Sequence, residues 1–177
     1  MENQLPQRKI NRLQEYNYSQ NGAYFITICC KNMQCILGEI VGDAVFGVPN
    51  INSVPTIKLS KYGLILQDLL ENIDNTKNNL QVPYYVIMPN HIHLIVEIDV
   101  SVNTIISGTP KTASPTKNTL AKFVNALKGL STKRARENIW QRSFYDHVIR
   151  NDKDYARIVE YIQGNPYNWQ KDCYFVL

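Results

Sequence analysis

The alternation of apolar and polar positions divides the chain into strands and helices. "AYFITICC" (23–30) is β-branched and aromatic and predicts a strand. "CILGEIVG" (35–42) predicts its hairpin partner, and residues 43–58, with Pro49 and Pro55, read as a loop or a small extra hairpin. Tyr62, Leu66, Leu69 and Ile73 recur on one helical face and Ser60 can cap the start, so a helix is predicted over 60–73. "VPYYVIM" (82–88) and "HIHLIVEI" (91–98) predict two strands joined by a Pro89-Asn90 turn. Residues 99–118 are rich in Ser, Thr, Gly and Pro and read as a mobile loop; too little chain follows for a separate core. Leu120, Phe123, Val124 and Leu127 form an amphipathic helical stripe, with Lys122, Lys133 and Arg136 opposite it. "WQRSFYDHVIR" (140–150) predicts a fourth core strand, and "DKDYARIVEYIQGNP" (152–166) a last helix.

Without the hairpin this order is βαββαβ followed by a helix. It predicts an α+β fold: a ferredoxin-like βαββαβ antiparallel sheet with two helices on one face, an added hairpin and a C-terminal helix. A length of 177 residues suits one domain over 1–177.

The chain has three histidines, and two of them fall in one predicted strand. Side chains alternate across a strand, so Ile92, Leu94, Val96 and Ile98 share one face and His91, His93, Ile95 and Glu97 the other. The aliphatic face belongs under the two helices. The imidazoles then project from the opposite face, roughly 6–7 Å apart by the strand rise, near enough to share one metal ion. A histidine pair of this kind is more often a satisfied polar face than a ligand pair. A metal would need a third ligand from another element, because no acidic or cysteine cluster lies nearby in sequence. The last helix can supply it. Tyr155, Ile158, Val159 and Ile162 form its apolar stripe, while Tyr161 and Asn165 stack four apart on its flank. A tyrosine beside a metal has a chemical use: its oxygen can attack a phosphorus whose charge the metal offsets.

Charge adds a partner. The net charge is +4, and from Thr119 to Arg150 seven basic residues stand against two acidic ones, a local surplus larger than the whole chain's. Such a surface suits nucleic acid, although a solvated helix face explains it equally well. None of the four cysteines makes a CxxC pair, and they read as reduced thiols of a cytoplasmic protein. The first residues hold no apolar signal core, and no apolar run is long enough to predict a membrane span.

"MPNHIHLIVEI", a basic amphipathic helix, "WQRSFYDHVIR" and "YIQGNP" together resemble the single-tyrosine HUH transposases of small insertion sequences, nearest to the REP-associated tyrosine transposases. "YNYSQNGAYFITICCKNMQCILGEI" is like that branch's first strands, and the resemblance runs from about Arg8 to Trp169. It implies a metal-dependent single-stranded DNA endonuclease that cleaves and rejoins hairpin (palindromic repeat) sites through a 5′-phosphotyrosine intermediate. His91 and His93 match the metal motif, Tyr161 the nucleophile, and Asn165 the third ligand, where many members carry Gln. The implied cofactor is a divalent metal, Mg²⁺ or Mn²⁺. The implied partner is single-stranded or hairpin DNA, with Lys122, Lys133, Arg134, Arg136 and Arg142 as candidate contacts and Tyr167 or Trp169 as candidate stacking platforms. The resemblance leaves monomer and homodimer open and points to a nucleoid-associated protein. Two other readings compete: a domesticated, non-cleaving hairpin-binding protein of the same fold, and a zinc hydrolase, which would need an acidic base near the histidines.

Overall fold

A computed structural model describes residues 21–42, 55–73, 79–99 and 119–176. Among these residues six strands and three helices follow one another: β1 (Gly22–Cys29), β2 (Gly38–Val41), β3 (Thr56–Leu59), α1 (Lys61–Glu71), β4 (Leu80–Ile87), β5 (His91–Ile98), α2 (Thr119–Ala135), β6 (Tyr145–Ile149) and α3 (Asp152–Gly164). Four strands form an antiparallel sheet in the order β4-β5-β1-β6. This is the predicted split βαβ arrangement, in which β1 and β4 are separated by β5. The loop predicted for 99–118 lies almost wholly outside the described residues.

Both faces of the sheet are covered. Tyr24, Ile26 and Ile28 of β1 and Ile92, Leu94 and Val96 of β5 point to one face. There they pack with Leu66, Leu69 and Leu70 of α1 and Leu120, Phe123, Val124 and Leu127 of α2. The opposite face presents Phe25 and Ile95 to Ile158 and Ile162 of α3, with Tyr155 and Val159 beside them. Burying two isoleucines contributes about 3–6 kcal/mol towards docking α3 on this face. Ser60 caps α1 by accepting from the backbone N–H groups of Tyr62 and Gly63, and Asn151 caps α3 by accepting from that of Asp154.

The hairpin differs from the prediction. β2 pairs with β3 in a separate two-stranded sheet and not with β1. Both edges of β1 are already taken, by β5 and by β6. The chain turns away after Cys30 through a short 3-10 turn, Lys31–Met33, in which Asn32 and Met33 adopt positive φ. The two-stranded sheet stays close to α1: a Cβ at Gly63 would run into the Leu37 carbonyl oxygen, so only glycine fits there. Among the described residues no helix is long and apolar enough to cross a membrane.

Candidate active site

β5 runs through the middle of the sheet, and His91 and His93 sit on its α3-facing side with 0% and 1% exposure. Their cross-strand partners on β1 are Cys29 and Thr27. The imidazoles turn inward so far that their Nε2 atoms are 2.9 Å apart. Their outer nitrogens are held separately. His91 Nδ1 is 2.8 Å from Asn90 Oδ1, and His93 Nδ1 is 2.8 Å from Thr27 Oγ1. The Asn90 amide is oriented by its own donations to the carbonyl oxygens of Tyr174 and Met33. Its oxygen therefore accepts, and Nδ1 of His91 must carry the proton. That leaves a lone pair on His91 Nε2. Nδ1 of His93 faces the Thr27 hydroxyl, and its Nε2 faces both His91 Nε2 and the Tyr161 hydroxyl. Burial holds both rings neutral. It pulls His91 down to about 4, against the opposing pull of Asp172. His93 lies well below its ordinary value, again by burial and then by its neighbour His91.

α3 places Tyr161 and Asn165 above this pair, as the helical spacing predicts. The Tyr161 hydroxyl is 3.3 Å from His93 Nε2, and its ring stands edge-on to Phe25, 6.0 Å away. Tyr161 keeps 40% of its surface exposed, so one side of the ring faces solvent. Its phenol is held above the ordinary tyrosine range, first by burial and then by the Asp172 carboxylate. Asn165 caps the C-terminus of α3 in helical geometry (φ −60°, ψ −42°) despite the proline that follows it. Its Nδ2 donates to Asp172 Oδ2 at 2.9 Å. Its Oδ1 is buried and has no hydrogen-bond partner among the described residues.

Asp172 is the residue that sequence reasoning missed. It arrives from the tail after α3, and its side chain is 1% exposed. Oδ2 lies 3.9 Å from His91 Nε2 and 3.5 Å from the Tyr161 hydroxyl, and Oδ1 accepts from the backbone N–H of Tyr174 at 2.8 Å. One ligand atom from each of His91, His93 and Asp172 falls within 4.8 Å of the others. The tail is pinned by Asn90 and by the Tyr174 ring, 4.6 Å from that of His91. The one available signal was that Asp172 is the only acidic residue beyond Glu160. Its position removes the sequence-based objection to a zinc hydrolase, since an acidic group does stand beside the histidines.

The basic residues are not gathered here. Lys122, Lys133 and Arg136 are exposed on or just beyond α2, which packs against the other face of the sheet. Arg136, just past the helix end, takes a left-handed φ of 57°. Arg134 is ion-paired with Asp68 of α1. Arg142 is exposed in the segment entering β6, next to Gln141, whose N–H bonds the Cys29 carbonyl at the histidine end of the sheet.

No protein-family model matches the chain. An uncharacterized protein of Haemophilus influenzae is 35% identical over 180 residues, covering 96% of this chain and 93% of that protein. A REP-associated tyrosine transposase of Escherichia coli is 33% identical over 93 residues, 51% of this chain and 48% of the relative. A Haemophilus influenzae protein named as a REP-associated tyrosine transposase is 31% identical over 80 residues, 45% and 46% of the two chains. These two matches therefore span about half of each protein. Among solved structures, a REP-associated tyrosine transposase bound to a REP hairpin superposes with a TM-score of 0.58 at 21% identity, covering 89% of this chain and 73% of that one. At that identity the likeness is one of fold. Over about half its length this chain is similar in sequence to REP-associated tyrosine transposases, and over most of its length it shares the fold of one.

Proposed function

We propose that this protein cleaves and rejoins single-stranded DNA at hairpin sites, with Tyr161 as nucleophile. The observation that carries the reading is the Tyr161 hydroxyl, 3.3 Å from His93 Nε2 at a buried cluster, on a residue that keeps 40% of its surface exposed. A structural tyrosine has no need of two neutral histidines and a carboxylate at its tip. The step balances as a transesterification. The Tyr161 oxygen bonds to phosphorus, the 3′-oxygen leaves and takes up a proton, and the phenol proton passes to solvent along the exposed side of the ring. The product is a 5′-phosphotyrosine and a free 3′-OH. The bond energy is retained, so a second 3′-OH can reverse the step and join strands.

The donor set fits a divalent cation such as Mg²⁺ or Mn²⁺. Two imidazole nitrogens and a carboxylate converge, and Asn165, whose buried Oδ1 has no hydrogen-bond partner among the described residues, stands beside the carboxylate. When bound, such an ion supplies positive charge that polarises the scissile phosphate and favours the phenolate. His91 is ready to ligate, with its lone pair on Nε2. Ligation through Nε2 would leave the His93 proton on Nδ1, where the Thr27 hydroxyl can accept it. Tyr161 orients on His93 and Phe25, and Asn165 steadies Asp172.

A denaturing gel of the protein with labelled hairpin DNA tests the reading. A Mn²⁺-dependent species running as a protein–DNA adduct is expected. Hairpin binding without any adduct would favour the non-cleaving binder instead, and hydrolysis without an adduct would favour a metal hydrolase.

A further inference from the structure

Tyr174 touches the outer partner of each buried histidine. Its carbonyl oxygen accepts from Asn90 Nδ2 at 2.8 Å, on the amide whose Oδ1 faces His91 Nδ1. Its phenol is hydrogen-bonded to the side chain of Thr27, whose hydroxyl stands 2.8 Å from His93 Nδ1. Its ring lies 4.6 Å from the His91 ring and 5.8 Å from that of His93. Its backbone N–H donates to Asp172 Oδ1 at 2.8 Å. One tail residue thus reaches towards all three groups of the cluster.

A histidine that gives a metal the lone pair of Nε2 keeps its proton on Nδ1 and needs an acceptor there. Asn90 offers an acceptor only while its Nδ2 points away from the ring. A flipped amide would turn N–H groups towards His91, and the Tyr174 carbonyl opposes that flip. A hydroxyl is ambivalent, since it can donate to Nδ1 or accept from it. Thr27 is 1% exposed, so its hydrogen finds a partner within the protein and not in bulk water. When that hydrogen goes to the Tyr174 oxygen, Thr27 Oγ1 is left to accept from His93. Resting on the reading of this cluster as a metal centre, we propose that Tyr174 is a positioning residue that keeps an acceptor at the outer nitrogen of both histidines, through Asn90 for His91 and through Thr27 for His93.

Tyr174→Phe removes one oxygen and keeps the ring, the carbonyl and the backbone N–H. It cuts the Thr27 arm alone. Mn²⁺ affinity, measured by titration calorimetry, should fall about tenfold, the low end for an outer partner of a metal-binding imidazole. In a Thr27→Val background the same change should cost nothing further, because that arm is already broken. Zn²⁺, as a diamagnetic probe, gives the spectroscopic readout. The chain has three histidines, so imidazole N–H resonances are few. In the Zn²⁺-loaded protein Tyr174→Phe should speed the exchange of the His93 Nδ1 proton with water. The His91 proton, whose acceptor is untouched, should exchange as before. An unchanged Mn²⁺ affinity, equal losses in the two backgrounds, or a His93 proton that exchanges as in the parent overturns the positioning role and leaves the metal reading intact. A parent protein that binds neither Mn²⁺ nor Zn²⁺ overturns both.

Discussion

The Asp172 carboxylate and the His91 imidazole lie 3.9 Å apart, both sealed from solvent, although one comes from the tail and the other from the central strand. The cluster is thereby built from three separate elements: β5, α3 and the segment after it. If Asp172 is a ligand, Asp172→Asn should lower Mn²⁺ affinity about tenfold or more, as measured by titration calorimetry. The Asn165 contact and the fold should survive. Unchanged affinity would place the carboxylate outside the ligand set.

Thr27 sits opposite His93 in the β1–β5 register, and its hydroxyl is 2.8 Å from Nδ1. Valine keeps the shape and loses the hydroxyl. In Thr27→Val the metal-competent tautomer of His93 has an Nδ1–H with no acceptor. Metal affinity should fall about 10- to 100-fold, and Thr27→Ser should restore most of it. Equal affinities in all three proteins would show that the tautomer is set elsewhere.

Neutral burial of the histidines makes the metal-free fold acid-sensitive. The unfolded chain takes up protons near pH 6.5, whereas folded His91 does so only near 4 and His93 well below its ordinary value. Their contribution is full above about pH 6.5 and is lost as pH falls towards 4. The slope is up to about 1.4 kcal/mol per pH unit for each imidazole. Thermal melts in chelator between pH 7.5 and 5 should show a falling midpoint, with a shallower fall in His93→Gln. Parallel pH profiles would contradict the neutral-burial argument.

The histidine pair was legible because strand alternation has a period of two. His91 and His93 had to share a face once Ile92 and Leu94 were assigned to the core. Tyr161 was legible for the same reason at helical spacing. Asp172 was not, because its approach depends on the path of the chain from Asn165 to Asp172, which no periodicity encodes. The hairpin was misassigned because β6, more than a hundred residues away, takes the edge of β1 that β2 would have used. The ion pair of Arg134 with Asp68 arises from the packing of α1 against α2, which charge counting along one helix cannot see.

That ion pair sharpens the expectation for the basic helix. Lys133 and Arg136 remain exposed, and they lie across the sheet from Tyr161. If both contact hairpin phosphates, changing both to Ala should make the slope of log K against log[salt] shallower by roughly 1.5 to 2 units. The loss should be alike for hairpins of different sequence. Arg134→Ala should change the slope less than either. A slope unchanged by the double substitution would assign these residues to a merely solvated face.

The central claim is that the Tyr161 oxygen becomes covalently bound to DNA. The most direct measurement is peptide mass spectrometry of the nuclease-trimmed adduct formed with Mn²⁺ and hairpin DNA. A nucleotide phosphate on the peptide carrying Tyr161 is the predicted result, with no adduct from Tyr161→Phe, which should still bind the hairpin and melt at nearly the parent temperature. A modified Tyr167, or an adduct that persists in Tyr161→Phe, would contradict it.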